Sequence, residues 1–172
     1  MSASMKVLLS VAEVVAAVLV IRYRSARGEW DFGLRRPHVG ALLGWVAIYA
    51  AWMLGTNAIW DWRGPWDFAP WRAAPLAVDA GRVLAVGILG PIGEELIFRG
   101  ILFARIAATR AGVPGAIIIT SLVWTLLHIQ YGAPVLLLIV VDGLLLALAR
   151  VTTKSVWVPV AMHIVWNLYA IW

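Results

Sequence analysis

The chain has 172 residues, of which 63% are hydrophobic and 13% are charged, about half the charged share of a typical soluble domain. Too few charged side chains are present to cover a water-facing surface, which excludes an ordinary soluble globular protein and predicts a protein embedded in lipid. The net charge of +5 does not indicate a nucleic-acid partner, because basic residues beside apolar helices are typical of loops near anionic lipid headgroups. Cysteine is absent, which excludes disulfides, thiolate nucleophiles and cysteine-based metal sites.

Six apolar runs approach the length needed to cross the hydrocarbon core and predict six transmembrane helices. Backbone polar groups must be paired within lipid and no run alternates like a barrel strand, so each run is expected to be helical. The predicted fold class is therefore all-α, a polytopic membrane helical bundle that forms a single domain over residues 1–172. In chain order the predicted spans are residues 5–21, 39–54, 76–92 with a continuation into the following glutamates, 114–129, 134–149 and 156–172.

Tryptophan and arginine mark the two faces of the predicted bundle. Basic residues cluster in alternate connections, at 22–36, 99–110 and 150–154, and these connections are predicted to face the cytoplasm. Residues 130–133 and a tryptophan-rich segment between the second and third spans are then expected on the opposite face. That segment is predicted to lie at the level of the lipid headgroups, and its tryptophans are Trp60, Trp62, Trp66 and Trp71.

Two adjacent glutamates lie in the sequence GPIGEELIFRG, residues 90–100. Each ionisable group within a span is unfavourable by roughly 2.5–3.5 kcal/mol, which makes it a candidate functional residue. Glu95 and Arg99 are spaced i and i+4 with the acid first, the better order for a helical ion pair. Glu94 lies about 100° further around the helix and is left as a carboxylate that is able to accept a proton. Pro91 is expected to break the helix just before the glutamates.

Two further apolar runs carry a histidine each, His128 and His163. His163 and Asn167 are four residues apart, on one helical face, and would present two hydrogen-bond donors suited to a developing oxyanion. A zinc site with Glu94, His128 and His163 as ligands is an alternative that the residue types permit. Against it, the sequence has no HExxH pair, and Asn167 is better suited to donating a hydrogen bond.

Three short motifs in this order resemble those of the CPBP glutamate intramembrane proteases, a family that includes the type II CAAX prenyl endopeptidases and bacterial Abi-type proteins. The EExxxR motif occupies residues 94–99, and the HxxxN motif occupies residues 163–167. The FxxxH motif ends at His128 and has Trp124 in place of phenylalanine, a departure that concerns packing more than catalysis. The resemblance covers about residues 80–172 and leaves residues 1–75 as less characteristic spans.

The resemblance implies an intramembrane endopeptidase of the bacterial cell membrane that acts on a membrane protein or peptide and needs no cofactor. In this family's mechanism Glu94 would activate a water molecule and His128 would orient it. His163 and Asn167 would stabilise the oxyanion, while Glu95 and Arg99 would support Glu94. A non-catalytic immunity or scaffold protein is the other alternative, and the oligomeric state is not predicted. Asp142 lies outside the three motifs and is expected to make a hydrogen bond inside the bundle.

Overall fold

The computed structural model describes residues 2–60, 71 and 73–171, and within these residues the chain forms six helices and no strand. The predicted all-α membrane bundle is thereby confirmed. Trp62 and Trp66, which the sequence places at the headgroup level, lie outside the described residues. The helices are α1, Ala3–Ser25; α2, Val39–Ile59; α3, Leu76–Ala107; α4, Gly112–Leu126; α5, Ala133–Thr153; and α6, Trp157–Ile171.

The helices fall into two length classes. Within the described residues, α1, α2, α3 and α5 are long and apolar enough to cross a membrane. By contrast, α4 and α6 have 15 residues each, a length of about 22 Å, and are shorter than the roughly 30 Å hydrocarbon core. The six predicted spans thus correspond to six helices in the described part of the chain, of which α4 and α6 are shorter than the other four.

The early end of α4 changes the position of His128. The predicted span continues to residue 129, but α4 ends at Leu126, and the N–H of His128 donates to the carbonyl of Thr125 at 2.9 Å in a tight turn. His128 therefore lies on the turn that follows the helix, not within a helix.

Helices that follow one another in the chain alternate in direction, and contacts along α3 show how they are arranged. Gly81 lies against Ala3 at the start of α1, and Gly100 lies against Ile21 near its end, so α1 and α3 run in parallel. The side chain of Asn167, near the end of α6, bonds Val86 in the first half of α3, so α6 runs the opposite way. The starts of α1, α3 and α5 and the ends of α4 and α6 consequently share one end of the bundle.

The other end of the bundle is closed by hydrogen bonds between two connections. The segment between α1 and α2 meets the segment between α5 and α6 through an isolated β-bridge of Leu34 and Ser155. The hydroxyl of Ser155 donates to the carbonyl of Arg35 at 2.7 Å. Arg150, buried near the end of α5, donates to the carbonyl of Asp31 at 2.8 Å. These bonds hold the two connections together.

Helix α3 continues through Pro91, so the prediction that this proline breaks the helix is wrong. Two π-helical segments lie in α3 on either side of the glutamates, at Val83–Leu89 and Leu96–Leu102. In the first segment the N–H of Gly90 donates to the carbonyl of Ala85, five residues earlier. A π-turn takes the backbone out of the α-helical register, which removes the clash that a proline ring otherwise makes with the preceding turn.

Helices α4 and α5 pack closely at Gly143. A Cβ atom added there would lie 3.0 Å from Cβ and 3.1 Å from Cα of Ser121. Small residues allow membrane helices to pack this closely. We expect Gly143→Ala to lower the free energy of unfolding by about 1–3 kcal/mol, because the backbone of α4 must move. Denaturant unfolding in detergent, followed by circular dichroism, measures the change.

Gly44→Ala in α2 is the matched control for that substitution. No atom lies within 4 Å of a Cβ added at Gly44. Alanine is the better helix former by about 1 kcal/mol, so the stability of this variant should be equal to the wild type or slightly higher. Equal stabilities of the two variants would contradict the close packing of Gly143.

Candidate active site

A cavity of about 390 Å³ lies between the helices in the half of the bundle where α1, α3 and α5 begin. Five helices, α1 and α3 to α6, contribute side chains to its wall. The structure brings together on this wall the four residues that the resemblance assigns to catalysis, which are Glu94, His128, His163 and Asn167.

Glu94 is half-buried and its carboxylate is held by a hydrogen bond from α4. Its Oε2 accepts from the indole N–H of Trp124 at 2.6 Å. The adjacent Glu95 has no exposed surface and points to the other side of α3. The side chains diverge because consecutive residues lie about 100° apart around a helix. Glu94 is therefore the carboxylate of the pair that borders the cavity.

Behind the cavity wall, Glu95 is the centre of a fully buried polar network. Its Oε1 accepts from Nη1 of Arg99 at 2.9 Å, the ion pair that their spacing predicts, and lies 2.9 Å from Nδ1 of His163. Arg99 is fully buried as well. Its Nη2 donates to the carbonyl of Gly143 at 3.2 Å, and its guanidinium lies over the ring of Trp124. The network joins α3, α5 and α6.

The orientation of His163 follows from that network. An ionised carboxylate can accept hydrogen bonds but cannot donate them. The Nδ1 atom of His163 beside Glu95 therefore carries the hydrogen. Nε2 is the ring nitrogen left without this bond, and His163 borders the cavity. The ring packs edge-on against Trp124, with centroids 5.3 Å apart.

His128 is oriented by the backbone of α4. Its Nδ1 lies 3.0 Å from the carbonyl oxygen of Trp124, and a carbonyl oxygen only accepts, so this nitrogen carries the hydrogen. In the neutral ring Nε2 is then an unprotonated acceptor. The imidazole lies between Trp124 and Tyr131, with centroids 5.1 and 6.1 Å away. These contacts hold the ring at the cavity.

Asn167 is tied to the first π-helical segment of α3. Its Nδ2 donates to the carbonyl of Val86 at 2.8 Å. In the i to i+5 pattern the partner of that carbonyl would be the N–H of residue 91, which is a proline and has none. Asn167 thus supplies the hydrogen bond that Pro91 lacks. Since an amide nitrogen carries two hydrogens, one N–H of Asn167 is left for a ligand.

Three features of the site were not predicted from the sequence. Trp124 was expected to pack, whereas its N–H binds Glu94; the tryptophan at a motif position occupied by phenylalanine was the available signal. Glu13 of α1 borders the cavity beside Gly93, where an added Cβ would lie 3.0 Å from its Cδ. A lone acid within an apolar span was the signal there. The predicted hydrogen bond of Asp142 is confirmed, but its donor, Trp52 Nε1 at 2.8 Å, was not foreseen.

The zinc alternative would use Glu94, His128 and His163 as ligands. In the part of the chain that the structure describes, no three histidine, aspartate or glutamate side chains are arranged to hold a metal ion. The Nδ1 atoms of both cavity histidines carry the hydrogens described above, and one oxygen of Glu94 accepts from Trp124.

Comparisons with known proteins agree with the motifs. The model of the family described as "Type II CAAX prenyl endopeptidase Rce1-like" matches residues 76–169, more than half of the chain. A Bacillus subtilis protein named "Putative membrane peptidase YdiL" is 30% identical over 100 residues. The aligned part is 58% of this chain and 38% of that relative, so the chain spans well under half of the relative's length. No solved structure matches the chain at a significant level.

Proposed function

Because the chain belongs to the type II CAAX prenyl endopeptidase Rce1-like family, we propose that it is an endopeptidase that hydrolyses a peptide bond of a membrane-associated protein or peptide. The family is the one that the three motifs predict. The observation that carries the proposal is the cavity on which Glu94, His128, His163 and Asn167 meet. All four lie within the matched residues. The Bacillus relative supports a bacterial cell membrane as the location.

In the proposed reaction a water molecule is the nucleophile. One oxygen of Glu94 is held by Trp124 at 2.6 Å, and the other is free to accept a proton from water. The unprotonated Nε2 of His128 offers a second acceptor on the same wall, which would orient the water between two groups. The water oxygen bonds the scissile carbonyl carbon while its proton passes to Glu94.

The tetrahedral intermediate then carries a negative oxygen that needs donors. The second N–H of Asn167 supports this role, since its first N–H is already bound to Val86. Nε2 of His163 donates only when the ring carries a proton on both nitrogens. In soluble enzymes a single such donor lowers the activation free energy by about 2.7–4 kcal/mol. The carbon–nitrogen bond breaks as Glu94 returns the proton to the leaving amine, giving a carboxylic acid and an amine.

A covalent intermediate is not required. The serine and threonine hydroxyls closest in sequence to His128 are those of Ser121 and Thr125. They donate to helix carbonyls, of Ile117 at 2.7 Å and of Ser121 at 2.9 Å. A hydroxyl bound in this way is not paired with a base, as a nucleophilic serine or threonine has to be. This supports direct attack by water.

The test is the incubation of the purified protein with a library of membrane-spanning peptides, with products identified by mass. We expect cleavage that persists in a strong metal chelator. Loss of cleavage in the chelator, with recovery on adding zinc, would favour the zinc alternative. A library left intact by protein of verified fold would favour the immunity or scaffold alternative.

Trp124→Phe is expected to lower kcat by about tenfold to a hundredfold, which corresponds to one hydrogen bond to a charged group. The phenyl ring keeps most of the packing of α4, but it cannot donate to Glu94. KM and the midpoint of thermal unfolding should change little. Steady-state kinetics with a cleaved peptide measures both constants.

Trp157→Phe is the control for Trp124→Phe. The indole N–H of Trp157 donates to the carbonyl of Leu34 at the opposite end of the bundle. This variant should keep the kcat of the wild type. Similar losses of kcat in both variants would contradict a specific role for the bond between Trp124 and Glu94.

A further inference from the structure

Most of the lysines and arginines lie in the half of the bundle opposite the cavity. The basic half contains ten of the chain's fourteen lysines and arginines. They lie in the connections between α1 and α2, α3 and α4, and α5 and α6, or in the helix halves that lead to them. These residues are Arg22, Arg24, Arg27, Arg35, Arg36, Arg99, Arg105, Arg110, Arg150 and Lys154.

The cavity occupies the other half. On α1 it is lined from Lys6 to Glu13, which is the first half of that helix, and on α3 from Ala85 to Glu94. On α6, which runs the opposite way, the lining residues extend from His163 to Ile171 and include the end of the helix. The lining residues of all three helices therefore place the cavity at the end of the bundle away from the arginine-rich connections.

Membrane proteins keep their lysine- and arginine-rich loops on the cytoplasmic side. We propose that the cavity opens toward the face of the membrane opposite the cytoplasm, and that its substrate is an apolar peptide segment presented from that face. The statement about the substrate rests on the proposed function. The statement about orientation rests only on the positions of the charges and of the cavity.

The surroundings of the cavity are those of a membrane interface. Leu126, Leu127 and Ile129 flank His128, and all three are more than 60% exposed. Apolar side chains in this position contact lipid in the membrane-embedded protein. At the same end, Lys6 lies over the ring of Trp71, with Nζ 5.2 Å from the centroid. An indole with a cation beside it is typical of the headgroup level.

This orientation decides between two kinds of substrate. A protein prenylated at its C-terminal cysteine is held in the leaflet where it was synthesised, so it would meet the basic end of the bundle. A peptide that has crossed the membrane, or that spans it, would present its backbone to the cavity end. The geometry therefore favours a translocated or membrane-spanning peptide over a prenylated C-terminus.

Because the chain has no cysteine, a single introduced cysteine is its only thiol, and labelling of that thiol shows which side of the membrane it faces. Ser10→Cys is nearly isosteric and places a thiol on the cavity wall. Gln130→Cys marks the exposed turn after α4, and Ala108→Cys marks the exposed turn before it, in the basic half. Each variant is produced in a bacterium and treated with a membrane-impermeant maleimide, in right-side-out spheroplasts and in inverted vesicles. Labelling in detergent establishes that each thiol is reactive.

We expect the thiols at 10 and 130 to be labelled in spheroplasts and protected in inverted vesicles, with the reverse pattern at 108. Labelling of 10 and 130 only in inverted vesicles would overturn the inference. Equal labelling of all three thiols in both preparations would overturn it too, since the chain would then insert in both directions.

A cleavage assay separates this inference from the proposed function. A peptide cleaved by the purified protein is added to the outside of the same two preparations. Cleavage in spheroplasts and not in inverted vesicles supports the substrate part of the inference, and the opposite result overturns it. If no peptide is cleaved even in detergent while the labelling pattern is as expected, the proposed function fails and the orientation stands.

Discussion

Glu94→Gln is expected to lower kcat/KM for peptide cleavage by about 10²–10⁴-fold, the usual contribution of a general base. The amide cannot take a proton from water, yet its oxygen can still accept from the Trp124 N–H, which bonds Oε2 of Glu94 in the wild type. The fold should therefore be kept, because Glu94 is only half-buried and lies outside the Glu95 network. Single-turnover kinetics and the unfolding midpoint are measured on the same preparation.

Glu13→Gln is the matched control for this loss. Glu13 is the other glutamate on the cavity wall, so the substitution removes the same charge from the same cavity but from a different helix. We expect a loss of less than tenfold, since the proposed reaction uses one carboxylate as base. If Glu94→Gln kept the activity of the wild type, the mechanism would be contradicted. If Glu94→Gln and Glu13→Gln lost equal activity, both carboxylates together, and not Glu94 alone, would act as the base.

Arg99→Met is expected to lower the free energy of unfolding by about 3–5 kcal/mol, the range found when one partner of a buried ion pair is removed. Arg99 and Glu95 have no exposed surface, and the substitution removes the bonds to Glu95 and to Gly143. It would leave the Glu95 carboxylate inside the bundle with His163 as its remaining partner. Unfolding in detergent, monitored by helix content, measures the change.

Two further variants test whether this loss comes from the buried charge. The double variant Glu95→Gln with Arg99→Met removes both charges and should recover part of the stability, because replacing a whole buried pair is often close to neutral. Arg105→Met removes an exposed arginine from the same helix and should change the stability by no more than about 0.5 kcal/mol. No recovery in the double variant would show that shape, and not charge, is what Arg99 supplies.

Much of the site was predictable because it depends on local spacing. An acid and an arginine four residues apart on a helix meet whatever surrounds them, and Glu95 and Arg99 do so at 2.9 Å. Glu94 precedes Glu95 by one residue and so lies about 100° away from it around the helix, which makes its side chain point elsewhere. The partner of Glu94 was not predictable, because Trp124 lies 30 residues away on another helix. Only the packing of α3 against α4 brings its N–H to the carboxylate.

The partners of His163 and Asn167 differ from their predicted use for a related reason. Their spacing on one face predicted two free donors. In the structure His163 binds Glu95 through Nδ1, and Asn167 binds Val86. The second bond exists because Pro91 removes an N–H and a π-helical segment takes the place of the predicted break. Neither effect is visible in periodicity, since a π-turn depends on what packs against it.

The sequence by itself determined that the protein is a bundle of apolar helices and which of its polar residues are candidates for chemistry. Both follow from composition and local spacing, because lipid forces each apolar run to be helical and makes each buried charge unfavourable. The tertiary structure decided the end of α4 at Leu126, the π-helical segments, the hydrogen bond from Trp124 to Glu94 and the place of Glu13 on the cavity wall. These depend on contacts between residues far apart in the chain, whose geometry is set by how neighbouring helices pack.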